Sequence, residues 1–295
     1  MLQSPLVSRT LRAMDFSARL QPLRDLGLHP RHDAARRLLV LELDHGKANE
    51  VGVAQLDAFD ALCELLERED SPISCLCTTS RRQSKRGTPI FIAGANVTER
   101  AGWDNDRVKR HVIRQRELMR RLRHLPLFTV VLSHGVTLGW GAEFLLTADY
   151  TLATPGASFG LPETGLGILP GARGTAELAL ALGAAQALRL GCTGEQVSAS
   201  EALRIGLVQE VVDDLDAGLA RVHSLAERLR TRSPTAVAAF KRGLLASLGR
   251  EEATRLELER QAYERCVDAG EAAIGRAHFS AIRAGETPPW GPRRV

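Results

Sequence analysis

Residues 130–179, VVLSHGVTLGWGAEFLLTADYTLATPGASFGLPETGLGILPGARGTAELA, decide how the chain is organised. Leu127 to Ser133 is a mostly apolar, β-branched run, which predicts a buried strand. A glycine-punctuated turn follows, and then a helix rich in Ala and Leu. Tyr150 to Thr154 predicts the next strand, and a Gly- and Pro-rich loop leads into two further helices. Strand, turn and helix alternate in short units, the order expected of an α/β fold.

The alternation continues outward. Upstream, Arg37 to Asp44 predicts a first strand, with His45-Gly46-Lys47 as the turn that ends it. Val53, Leu56, Phe59, Leu62, Leu65 and Leu66 recur at helical spacing within 51–68. Ile73 to Thr78 and Pro89 to Ala93 predict two more strands, the second ending in Gly94-Ala95. Residues 105–123 read as an Arg-rich amphipathic helix. Downstream, Leu207 to Val212 is the last expected strand, and helices are expected over 215–231, 234–248 and 251–284 before a Pro-Pro-Trp-Gly-Pro tail. The expected division is an N-terminal extension (1–35), an α/β core (36–215) and a C-terminal helical region (216–295).

Composition narrows the function classes. Hydrophobic residues are 44%, charged residues 25% and aromatics 4%, so Leu and Ala rather than rings fill the interior. A net charge of +4 is too mild for a nucleic-acid binder, which concentrates basic residues and interleaves aromatics. It suits a ligand carrying phosphates if basic side chains lie near the site. The five cysteines are scattered and read as reduced, mostly buried small hydrophobes in a reducing compartment. Cys75 and Cys77 share one face of a predicted strand, but no second pair completes a metal site. No apolar run is long enough to span a bilayer, so no membrane partner is expected. Arg9, Arg12, Arg19, Arg24 and Arg31 give the first 32 residues some likeness to a transit peptide, yet the simpler reading is a surface extension on a cytoplasmic protein.

The chemistry concentrates in two glycine turns and two acids. In Gly139-Trp140-Gly141-Ala142-Glu143 a buried strand stops and a helix starts, so the first-turn N–H groups face the loop as donors. Ile92-Ala93-Gly94-Ala95-Asn96 is a second such turn, and two donors would form an oxyanion hole. Glu143 opens an apolar helix, and Glu163 follows Pro162 in a Gly-rich loop. Two carboxylates on one cleft can divide acid and base roles when their surroundings differ. Each also has a plainer reading: Glu163 accepting backbone N–H bonds in its loop, and Glu143 as a charge favoured by the helix dipole.

These motifs resemble the signature of the enoyl-CoA hydratase/isomerase (crotonase) superfamily. The matching segments are Ala93-Gly94-Ala95-Asn96, Gly139 to Glu143, Phe159-Gly160-Leu161-Pro162-Glu163, Leu166 to Thr175, and Ser198-Ala199-Ser200-Glu201-Ala202 through Gly206-Leu207-Val208. They occur in the family's order over roughly residues 37 to 285. The resemblance implies a crotonase-like spiral of β-β-α units with a C-terminal helical region, assembled as a homotrimer or homohexamer. It implies an acyl-CoA thioester substrate, with no metal and no cofactor beyond the coenzyme A that the substrate carries. The N–H groups of Ala95 and Trp140 match the oxyanion hole, and Glu143 and Glu163 match the acids that hold and activate water, Glu163 supplying the proton to the α-carbon. Lys47, Ala48 and Ala93 are expected to meet coenzyme A, and Gly139, Gly141, Pro162 and Gly171 to line the substrate pocket. Retention of both acids favours hydration of a 2-enoyl-CoA over double-bond isomerisation. The alternatives are an isomerase or other enolate-forming CoA enzyme, or a catalytically silent oligomeric binding subunit.

The chain departs from the family pattern at Trp140, where glycine is usual, and at Arg173, which interrupts Gly-x-Gly-Gly. Asn96 replaces an aspartate. The basic run Arg81-Arg82-Gln83-Ser84-Lys85-Arg86 precedes the second glycine turn, and Arg81 and Arg82 are candidates for the coenzyme A phosphates. His134, beside Gly135, is read as a turn residue, and the eight histidines show no metal-site spacing.

Overall fold

The computed structural model describes residues 16–294. Its backbone is built from β-hydrophobic runs covered on both faces. Strand β1 (Leu28–Asp33) pairs antiparallel with β2 (Leu38–Leu43), and β2 pairs parallel with β3 (Cys75–Ser80). Beyond β3 lie β5 (Phe128–Ser133), β7 (Tyr150–Ala153) and the two-residue β10 (Glu210–Val211), all parallel. A second sheet runs β4 (Ile90–Ile92), β6 (Val136–Leu138), β8 (Ser158–Gly160), β9 (Val197–Ser198). Three successive turns, β3–β4, β5–β6 and β7–β8, each give one strand to the first sheet, the next to the second, and then a helix: the β-β-α spiral.

Residues 16–20 are helical, and from residue 53 onward the helices in chain order are α1 (Val53–Glu67), α2 (Asn105–Arg123), α3 (Trp140–Leu145), α4 (Gly174–Leu182), α5 (Ala184–Thr193) and α6 (Ala199–Ile205). After β10 come α7 (Leu215–Arg230), α8 (Pro234–Ser247), α9 (Glu252–Asp268), α10 (Glu271–Ala277) and α11 (Phe279–Arg283). No described helix is long and apolar enough to cross a membrane.

Continuous apolar strands suit a parallel sheet buried on both sides. On one face Leu38, Val40, Cys75, Cys77, Val130, Leu132 and Leu152 pack under Val222 and Ala226 of α7. On the other, Leu39, Leu41, Leu43, Leu76 and Val131 join the main core with α1 and α3. Cys75 and Cys77 do share a face, and all five cysteines are free thiols; Cys192 is exposed and Cys266 half-buried rather than buried.

Three local expectations change. The expected strand 207–212 contracts to β10, and the helix expected over 251–284 breaks at Gly270, which takes φ +83°, and again at His278. Strand β1 lies inside the segment read as an extension. The part of that segment before residue 16, with Arg9 and Arg12, lies outside the described residues.

Candidate active site

Asn49 fixes the geometry of the turn after β2, the one expected to meet coenzyme A. It is fully buried, in the left-handed region at φ +54°. Its Oδ1 accepts the N–H of His45 at 2.9 Å, and its Nδ2 donates to Ser80 Oγ at 2.9 Å and to the Phe91 carbonyl at 2.8 Å. One side chain thus ties the turn after β2 to the end of β3 and the middle of β4. The N–H of Ala93 donates to the Ala48 carbonyl at 3.0 Å, so two of the five residues expected to meet coenzyme A share a bond. Lys47, the third, is exposed. Arg82 donates to the carbonyls of Gly46 and Lys47 and pairs with Asp44 at 2.5 Å, so it braces the same turn. Arg81 is drawn elsewhere, to Glu42 at 3.3 Å and to Asp216 in the first turn of α7 at 3.1 Å.

The two glycine turns meet. Val51 and Ala95 form a parallel bridge, in which the Gly94 carbonyl and the Asn96 N–H bond to Val51. The intervening Ala95 N–H therefore points away from Val51. Gly139 takes φ +52°, and a Cβ placed there would stand 2.8 Å from Glu163 Oε1 and 3.8 Å from the Cα of Gly94. Only glycine suits that backbone and that contact. The N–H of Trp140 heads α3 and has no partner within the helix, where the first bond is Glu143 N–H to the Gly139 carbonyl at 3.0 Å. Gly141 lets α3 lie directly on β4, since a Cβ there would collide with the Ile92 carbonyl. Asn96 acts on loop geometry, its Oδ1 accepting from Thr98 Oγ1 at 2.7 Å.

The Trp140 indole turns inward, away from the loop face. It stacks on Phe144 at 5.4 Å between centroids and meets Phe59 of α1 at 5.9 Å. Its Nε1–H has no hydrogen-bond partner among the described residues. The residue that interrupts the glycine motif therefore serves as an apolar wedge under the turn.

Both acids are buried: Glu143 is 4% exposed and Glu163 9%. Pro162 opens a short 3₁₀ turn (Pro162–Leu166) that carries Glu163 toward Gly139. Burial pushes the Glu143 carboxyl up to about 7, with the Glu163 charge acting the same way; the N–H groups of Gly174 and Ala172 and the Arg116 guanidinium oppose them. Burial also raises Glu163, partly offset by its own backbone N–H. Glu143 Oε1 accepts the Gly174 N–H at 2.7 Å, whereas Glu163 Oε2 is buried with no partner among the described residues. A buried carboxylate oxygen without a donor is an acceptor held ready for a ligand or water. Gly171, the remaining pocket candidate, accepts Arg116 Nε at 2.6 Å through its carbonyl, linking α2 to the loop before α4.

The two expected acids and the two glycine turns thus come together at one place. Sequence reasoning missed Gly174 and Arg116 as partners of Glu143. The signal available was positional only: Gly174 opens a helix just after Pro170-Gly171, where first-turn N–H groups lack partners.

Comparison with known proteins agrees with this architecture. A family model described as enoyl-CoA hydratase/isomerase matches residues 85–286. The putative enoyl-CoA hydratase/isomerase YngF of Bacillus subtilis is 34% identical over 214 residues, 72% of this chain and 80% of that protein. The mitochondrial enoyl-CoA hydratase domain-containing protein 2 of Mus musculus is 32% identical, covering 77% of this chain and 76% of its own. Among solved structures, Pseudomonas aeruginosa DspI superposes with a TM-score of 0.79 at 30% identity, over 90% of this chain and 97% of that one. Enoyl-CoA hydratase from Bacillus anthracis superposes with a TM-score of 0.77 at 28% identity, over 90% of this chain and 98% of its own. With its spiral fold, its paired glycine turns and these matches, the chain belongs to the enoyl-CoA hydratase/isomerase family.

Proposed function

We propose that the protein is an enoyl-CoA hydratase, adding water reversibly across the α,β double bond of a 2-enoyl-CoA thioester. The observation that carries this reading is the convergence of two buried acids, Glu143 and Glu163, on the junction of the Gly94 and Gly139 turns. The free N–H groups of Ala95 and Trp140 polarise the thioester carbonyl and stabilise the enolate that forms. Glu143 and Glu163 hold the water between them; Glu143 takes its proton as oxygen attacks the β-carbon, and Glu163 delivers a proton to the α-carbon. A carboxyl held near 7 exchanges protons readily at neutral pH. The catalytic groups are all supplied by the chain, and coenzyme A enters as part of the substrate. The short-chain-enoyl-CoA hydratase of Clostridium acetobutylicum, 28% identical over 78% of this chain, lends the reading further support.

The Lys47 turn, with Ala48, Ala93 and the bracing Arg82, is the proposed coenzyme A contact. Assembly into a homotrimer or homohexamer is proposed through the C-terminal helices, whose Phe240, Leu244, Leu256 and Tyr263 are exposed.

The test is incubation with crotonyl-CoA, following loss of enoyl-thioester absorbance. Hydration by the wild type, reduced on the order of a thousandfold in Glu143→Gln and in Glu163→Gln, is the expected result. Turnover that survives unchanged in both variants would refute the two-acid mechanism. Conversion of 3-enoyl- to 2-enoyl-CoA without hydration would make the protein an isomerase instead.

A further inference from the structure

The loop that brings Gly174 to Glu143 is held by a charge cluster on three helices. Arg173 stands at φ +88°, a conformation that suits glycine and strains other residues. Its guanidinium is tied to Glu177, one turn along α4, with Nε 3.1 Å from Oε1. Glu177 is itself buried, and its other oxygen lies 3.4 Å from Arg123 Nε at the end of α2. Arg123 in turn donates through Nη1 to the carbonyl of Leu146, 2.7 Å away, at the C-terminal end of α3. Helix α3 carries Glu143, whose carboxylate takes the Gly174 N–H at 2.7 Å. The contacts close a ring that runs from loop to α4, to α2, to α3 and back to the loop.

We infer that Arg173, Glu177 and Arg123 are positioning residues, a clamp that fixes the Gly174 N–H against the Glu143 carboxylate. Its consequence for turnover rests on the hydratase reading; its consequence for Glu143 itself does not. Without the clamp, the strained backbone at Arg173 relaxes and turns the next N–H off the carboxylate. Glu143 then keeps Glu163 and Arg116 as charged neighbours and the Ala172 N–H as a donor, but loses a bond that favours its ionised form.

Charge and positioning predict opposite signs at Glu177. Removing a nearby negative charge by itself eases ionisation of Glu143, whereas loosening the clamp hinders it. The test is a carbon-13 NMR titration of the full chain labelled at the glutamate side-chain carboxyls, with the Glu143 signal assigned through Glu143→Gln. Glu177→Gln and the charge-conserving Glu177→Asp are both measured, so the test survives if one fails to fold. In each, the Glu143 midpoint is expected to move further up from about 7, and the matching limb of the pH–kcat profile to move with it. On crotonyl-CoA, kcat is expected to fall on the order of tenfold with KM little changed. A midpoint that falls in Glu177→Gln, or stays put in Glu177→Asp, overturns the clamp. An upward move in a protein that does not hydrate crotonyl-CoA leaves the clamp standing and removes the hydratase reading.

Discussion

At the scale of the residue, the burial of Glu143 couples protonation to stability. Its folded pKa, about 7, lies above the ordinary carboxylate value of 4.5. The folded state therefore binds the proton more tightly than the unfolded chain. The stability this contributes is complete below about 4.5 and is lost as pH rises through 7. Glutamine cannot ionise, so Glu143→Gln should gain stability relative to wild type between pH 5 and pH 8, by up to roughly 3 kcal/mol. Urea unfolding of both proteins across that range checks it; a difference that does not vary with pH would contradict the burial argument. Glu143 and Glu163 were legible in the sequence because each stands beside glycines or proline that force a turn. The Gly174 N–H was not, since a backbone donor leaves no side chain to read. Nor was the direction of the Trp140 indole, which depends on Phe59, 81 positions away in the chain and a neighbour only in the fold.

At the scale of the element, the site depends on strand ends meeting loops at fixed distances. Asn49 makes three hydrogen bonds from a fully buried side chain to the turn after β2, the end of β3 and the middle of β4. Asn49→Ala would leave those groups without partners and open a small void, so a loss of about 2–4 kcal/mol is expected in chemical denaturation. Because Ala93 and Ala95 follow β4, KM for the CoA thioester should rise as well. The largely apolar runs of β2 and β5 were legible because a strand buried on both faces reads as nearly continuous apolar sequence. In β3 only Cys75-Leu76-Cys77 carries that signal, and the buried Thr79 and Ser80 hydroxyls donate to the carbonyls of Leu132 and Ile90. Strands β6 and β8 have three residues each, too few for a period to register. Strand β1 was missed because Leu28-His29-Pro30-Arg31-His32-Asp33 carries the polar residues and proline of an edge strand. The last long helix was over-extended because Gly270 and His278 sit in a sequence that otherwise favours helix throughout.

At the scale of the molecule, the tail and the C-terminal helices set the boundary conditions. Arg293 is 1% exposed and donates to the carbonyls of Leu66, Arg68 and Ile73, which end α1 and lead into β3. Trp290 Nε1 donates to the Thr231 carbonyl at 2.9 Å, so the tail straps the helical region to the core. Arg293→Ala would leave helix-end carbonyls unmet in a dry site, and a loss of about 2–4 kcal/mol in urea unfolding is expected. Phe240 is 72% exposed on α8, far more than a large ring normally tolerates on a lone soluble subunit. Phe240→Asp is expected to shift the elution of the protein on size exclusion toward the monomer, and an unchanged elution would place any subunit contact elsewhere. The overall spiral was legible as alternation, but a sequence pattern does not reveal where a tail docks.

The hairpin of β1 and β2 has a practical consequence for anyone who expresses this protein. Six residue pairs, from Leu28 with Leu43 to Asp33 with Leu38, satisfy the outer backbone of a strand whose side chains are nearly all apolar. A recombinant piece cut to begin at residue 36 would strip that cover and leave an oily strand with open hydrogen-bonding groups, ready to zip onto its own copies and precipitate. A piece beginning at residue 16 keeps the guard strand in place and should stay in the supernatant.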